Sequence, residues 1–139
     1  DANQIELHPW CQKANLVSFL QKKNITQIAY SSLTPLSTWR DKPGQDSAKT
    51  DVMREDGTLS DSPFKAISSK YGVTEAQLLL KWGLQKGFVI LPKTINEKRM
   101  SENINLDHFE IDDIDMNLLS SLDRGDGLAW PSGDPCNSP

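Results

Sequence analysis

Two short β-prone runs, Ala2 to Leu7 and Thr26 to Tyr30, enclose one stretch of helical period, and that order limits the fold more than any other feature. Strands joined through a helix pair in parallel, because the crossover returns the chain to the same end of the sheet. The first run alternates in polarity and stops at His8-Pro9, since proline has no N–H for a ladder and pushes the residue before it toward extended geometry. From Ala14 to Lys23, Leu16, Phe19 and Leu20 recur at helical spacing, with Lys23 at the margin, and Asn24 suits the left-handed position that ends a helix.

The alternation resumes farther on. Residues 34–61 are rich in Ser, Thr, Gly, Pro and charge and read as a long substrate-side loop. Ser62-Pro63 opens a helix that Tyr71-Gly72 closes. Thr74-Glu75-Ala76-Gln77 is a capping-box pattern ahead of Leu78, Leu79, Trp82 and Leu84, and Gly87 ends that helix. Phe88 to Leu91 is an apolar run stopped by Pro92, expected as a third strand buried on both faces. Asn96 caps a short helix carrying Lys98, Arg99, Glu102 and Asn103. Asp112 or Asp113 caps a last helix, whose Ile114, Leu118, Leu119 and Leu122 form an apolar stripe before Arg124-Gly125. Residues 123–139 are a Gly/Pro-rich coil tail, and no repeat of fixed period is present, so residues 1–139 read as one α/β domain.

At 139 residues the chain is long enough to bury a core, and 37% hydrophobic with 24% charged residues is a globular composition. A net charge of -4 without a basic stripe argues against nucleic acid or an anionic membrane as partner. No apolar run approaches the ~18 residues of a membrane span, and the N-terminus lacks the features of a signal peptide, so a cytoplasmic chain is expected. Cys11 and Cys136 lie far apart without CxxC spacing, which gives metal or dithiol chemistry little support and makes a reduced compartment the default. Their pairing is left open. The chain begins at Asp1, directly in a strand, and reads as part of something longer.

In parallel α/β architectures ligands bind beyond the carboxyl ends of strands, which here means Leu7-His8, Tyr30-Ser31 and Pro92-Lys93. Lys93, Thr94 and Arg99 gather around a helix N-terminus, where free N–H groups and the dipole favour an anion and arginine grips phosphate with two donors. On chemistry alone the same residues also read as a solvated helix start. Neither histidine is a convincing general acid: His8 and His108 both read as structural. Asp112/Asp113 look like caps and Asp107/Glu110 like solvated loop charge.

NQIELHPW resembles the sixth-strand motif of the aldo-keto reductases, IAYSSL the seventh, and ILPKTINEKRMSEN the eighth strand with its adenosine-phosphate helix, all in the family's order. The resemblance covers about 120 residues, and the last motif is specific in fixing a lysine, a hydroxyl residue, an arginine and an asparagine at set spacing. It implies a partial (β/α)8 TIM barrel, about its last three βα units plus the C-terminal helix and tail. It also implies roles for single residues. Gln4 would hydrogen-bond the nicotinamide carboxamide of NADPH, and Tyr30 would lay its ring on the nicotinamide face. Ser31 and Leu33 would touch the pyrophosphate region, Lys93, Thr94 and Arg99 would hold the 2′-phosphate, and Glu102 and Asn103 would approach the adenine. Without the resemblance, Gln4 reads as an ordinary interior polar residue and Tyr30 as core.

The family's catalytic set, a tyrosine acid with a lysine, an aspartate and a histidine, lies on earlier strands than these, so no catalytic residue maps onto this chain. Tyr71, the second tyrosine, falls at a helix end away from the strand tips, and His8 stands where the family has a packing residue. The leading expectation is therefore the cofactor-binding portion of an NADPH-dependent reductase that in complete form acts on an aldehyde or ketone. The alternative is a truncated reductase-like protein that binds a small molecule or does non-redox chemistry, a cyclisation or dehydration, as an oligomer; a third is a regulatory subunit sensing NADPH. About three strands leave open edges, so a homo-oligomer or a complementing N-terminal chain is expected.

Overall fold

A computed structural model describes residues 1–36, 63–125, 127 and 129. Most of the 34–61 loop, most of the tail and Cys136 lie outside the described residues. The order is β1 (Ala2–Glu6), α1 (Ala14–Lys22), β2 (Thr26–Tyr30), a 3-10 turn (Thr34–Leu36), α2 (Pro63–Tyr71), α3 (Glu75–Gln85), β3 (Val89–Ile90), α4 (Glu97–Ile104) and α5 (Asp113–Ser120). The three strands form one parallel sheet in the order β1-β2-β3.

Local signals account for the boundaries. Asn24 at φ 54° ends α1, Gly72 at 67° follows α2 and Gly87 at 82° follows α3. Thr74 and Gln77 form the reciprocal capping box at α3, Asn96 accepts from the Arg99 N–H at α4, and Asp112 accepts from the Asp115 N–H at α5.

Register sorts the sheet into two faces. Asn3 lies opposite Gln27, and Ile5 opposite Ala29, which is itself opposite Ile90, so these side chains share one face with Leu7 and Phe88 in line. That face meets the helices: Leu7, Ala29 and Phe88 join Val17, Phe64, Leu78, Leu79, Trp82 and Leu119 in the core. The contact with α3 is close, since a Cβ on Gly83 would stand 3.0 Å from the Ile90 side chain. The other face carries Gln4, Ile28, Tyr30 and Val89, and there Gln4 and Val89 are exposed.

Three sequence expectations are corrected. The third strand is not buried on both faces: Val89 is 44% and Leu91 50% exposed, because β3 is an edge strand and its face away from α3 has no cover among the described residues. On α5, Leu119 is fully buried but Ile114 and Leu118 are exposed, because Asp115 turns inward with Leu119 to meet α2. On α1 the core face is Val17 with Leu20, while Phe19 and Lys23 are exposed.

Candidate functional site

Beyond the carboxyl ends of β2 and β3 lies a cavity of about 430 Å³ lined by Ser31, Ser32, Leu33, Thr34, Leu91, Pro92 and Lys93. The chain enters it through Ser31, held at φ 57°, a left-handed conformation that a non-glycine residue adopts only under local constraint. The constraint is visible in the Thr34 N–H, which donates to the Ser31 carbonyl at 2.9 Å, and in Ser32 Oγ, which donates to the Ala29 carbonyl at 3.2 Å. Among the described residues Lys93 is the one charged group in the lining, and no carboxylate lines it.

Three of the nine residues expected from sequence, Ser31, Leu33 and Lys93, thus line one cavity. Thr94, Arg99, Glu102 and Asn103 stand just beyond it on the approach to α4 and on the helix itself. Thr94 Oγ1 accepts from the Asn96 N–H at 3.1 Å, and Asn96 Oδ1 accepts from the Arg99 N–H at 3.0 Å, so hydroxyl and cap together set the start of α4. The Arg99 side chain is exposed, whereas Glu102 and Asn103 are half-buried, Glu102 lying 3.7 Å from Lys98. Gln4 and Tyr30 are not in the cavity lining; they lie on the open face of the sheet, Gln4 exposed and Tyr30 half-buried, with Tyr30 opposite Glu6. Sequence reasoning assigned no role to Ser32 and Leu91, which sit inside the motifs that pointed to their neighbours, or to Thr34, which follows IAYSSL directly, whereas Pro92 was already placed at a strand end.

Neither histidine stands free at the strand tips as an acid. His8 is fully buried and its Nε2 lies 2.8 Å from Glu6 Oε1; burial lowers its pKa, with the Glu6 carboxylate pulling the other way. His108 is exposed and meets the Phe109 ring in a tilted contact, 5.1 Å between ring centres. Tyr71 Oη donates to Asp115 at 2.7 Å and accepts from the Asp112 N–H at 3.0 Å, which commits it to joining α2 to α5; burial raises its pKa. Among the described residues no three His, Cys, Asp or Glu side chains gather as metal donors, and no helix is long and apolar enough to cross a membrane.

Comparison with known proteins agrees with this geometry. The model of the "Aldo/keto reductase family" matches residues 1–124. A probable NAD(P)H-dependent D-xylose reductase of Aspergillus flavus is 35% identical over 122 residues, which are 88% of this chain and 36% of that protein. An NADP-dependent D-sorbitol-6-phosphate dehydrogenase of Malus domestica is 32% identical over 130 residues, 94% of this chain and 39% of that one. Among solved structures, an aldo-keto reductase complexed with NADPH superposes with a TM-score of 0.75 at 30% identity, covering 94% of this chain and 37% of its own. The chain therefore spans little more than a third of the length of these relatives, and its three parallel βα units are part of a (β/α)8 barrel. On sequence and architecture together, the chain belongs to the aldo/keto reductase family.

Proposed function

We propose that residues 1–139 form one partial-barrel domain, the last three βα units of an NADPH-dependent aldo-keto reductase, and that they hold the dinucleotide. The observation that carries this reading is the cavity past β2 and β3, where Ser31, Leu33 and Lys93 meet next to the start of α4. The residues fit such a group. A pyrophosphate needs donors and positive charge without competing carboxylates, and the lining offers serine hydroxyls, a strained backbone turn and a lysine. The first turn of α4 adds N–H groups without intrahelical acceptors, and Arg99 stands within that turn as a second cation.

In this reading Lys93, Thr94 and Arg99 hold the 2′-phosphate, Glu102 and Asn103 flank the adenine, and Ser31 and Leu33 border the pyrophosphate. Gln4 and Tyr30 share a sheet face, so amide and ring would orient the nicotinamide from one side. The bound cofactor supplies the hydride, and the task of these residues is to fix where its ring lies. The proton donor of the complete enzyme, which would act on a small aldehyde or ketone, is proposed to lie outside this chain. So is the covering of the open face, by an N-terminal chain or a second copy, and a cytoplasmic setting goes with it.

Fluorescence titration with NADPH and NADH tests the proposal. Arg99→Ala removes a charge-assisted pair to the 2′-phosphate worth about 1.5–3 kcal/mol, so NADPH affinity should drop about 10- to 150-fold with NADH little changed. Equal losses for both nucleotides would exclude Arg99 from the phosphate, and no binding of either by the unaltered chain would sink the reading.

A further inference from the structure

Glu6 ends β1 as a buried carboxylate, 6% exposed, on the same sheet face as Gln4 and directly opposite Tyr30. Two of the partners of its oxygens are Ala129 and His8. The Ala129 N–H reaches Oε1 at 2.9 Å and Oε2 at 3.0 Å, and His8 Nε2 lies 2.8 Å from Oε1. An ionised Glu6 carboxylate would only accept, which assigns the His8 proton to Nε2 and leaves Nδ1, buried without a partner, as the lone pair. Residues 123–125 are tied along the β1–α1 connection on the way. Asp123 Oδ1 accepts from the Gln12 N–H at 3.1 Å, the Arg124 N–H donates to the Trp10 carbonyl at 2.9 Å, and the Arg124 guanidinium lies 4.3 Å from the centre of the Trp10 ring.

We infer that Glu6, braced by His8, is a positioning residue that clasps the chain beyond α5 through the Ala129 N–H and so fixes what lies beside Tyr30 at the strand ends. The role at the cofactor rests on the proposed function; the clasp itself does not. Two features favour a dedicated clasp over incidental packing. A buried carboxylate is stable only with donors on its oxygens, so Glu6 favours the placement of Ala129 that supplies one. The contact also joins residues 123 positions apart, at the strand end adjacent to the expected nicotinamide contacts. Coupling between sites is reciprocal, so a ligand that favours the docked tail must be favoured by it.

Limited trypsinolysis reads the clasp, because cleavage after Arg124 requires the segment to lift, while the exposed Lys22 and Lys23 at the end of α1 report on the rest of the fold. Glu6→Gln should speed cleavage at Arg124 about tenfold and leave the α1 sites unchanged, the size expected for losing a charge-assisted hydrogen bond. If Glu6→Gln opens every site, the second variant decides: Ala129→Pro deletes the donor, fixing φ at that position as well, and keeps Glu6 and His8. NADPH should protect Arg124 in the unaltered chain and not in either variant. Unchanged Arg124 cleavage in Ala129→Pro overturns the clasp. Equal NADPH protection in all three chains overturns the positioning role. Fast Arg124 cleavage in the variants, with no NADPH effect on the unaltered chain, overturns the positioning role and leaves the clasp standing, while the cofactor reading itself stands or falls with the fluorescence titration.

Discussion

The His8 imidazole has no place for a second proton: it is fully buried and Nδ1 meets no acceptor. Burial holds its pKa below the ordinary 6.5, Glu6 opposing only in part. The unfolded chain therefore takes up a proton below about pH 6.5 that the folded chain refuses, so the stability His8 contributes is complete above that pH and falls as acid is added. Chemical denaturation at pH 7.5 and pH 5 should show a lower midpoint in acid, and His8→Asn should flatten that slope. Within this window Asp112, held below the usual carboxylate range by Lys70, stays charged and does not intrude. An equal slope in the variant would assign the loss to other groups. At this scale the start of α4 was legible, because an Asn cap acts within its own turn. The Glu6–His8 pair was not, because Glu6 is also bonded by a tail residue more than a hundred positions away.

Between elements the clearest join is polar. Lys70 Nζ lies 2.7 Å from both Asp112 and Asp115, and the Tyr71 hydroxyl bridges Asp115 and the Asp112 N–H, so the end of α2 grips the start of α5. This explains why the periodicity of α5 misled. Ile114 and Leu118 make a stripe at helical spacing, but satisfying a largely buried Asp115 rotates them to solvent. The outcome at Val89 and Leu91 is related: four apolar residues read as a fully covered strand, whereas cover depends on neighbours that spacing does not report. The two readings separate in a thermal melt. Tyr71→Phe removes a donor and an acceptor at a half-buried site and should lower stability by about 1–2 kcal/mol. Ile114→Ala should stay within about 0.5 kcal/mol, as an exposed position does. A larger loss at Ile114 than at Tyr71 would restore the stripe and refute the polar join.

For the whole molecule, the strand-helix alternation was enough to specify a parallel sheet, since parallel pairing follows from crossover connections. What surrounds the sheet was less legible. Its helix-facing side carries the core, but Gln4, Val89 and Leu91 are exposed on or in line with the other side, and β1 and β3 each lack a second strand neighbour among the described residues. Parallel sheets are stable with both faces covered, and free edges with an apolar face invite pairing. The chain in solution is therefore expected to associate, with itself or with a complementing chain. Light scattering at micromolar concentration should give a mass above that of a single 15.6 kDa chain. Leu91→Lys, placed at the exposed end of that face, should shift the mass downward by introducing charge that resists burial. A particle of single-chain mass with a sharp unfolding transition would show instead that the helix side alone stabilises this sheet, and that its open face tolerates water.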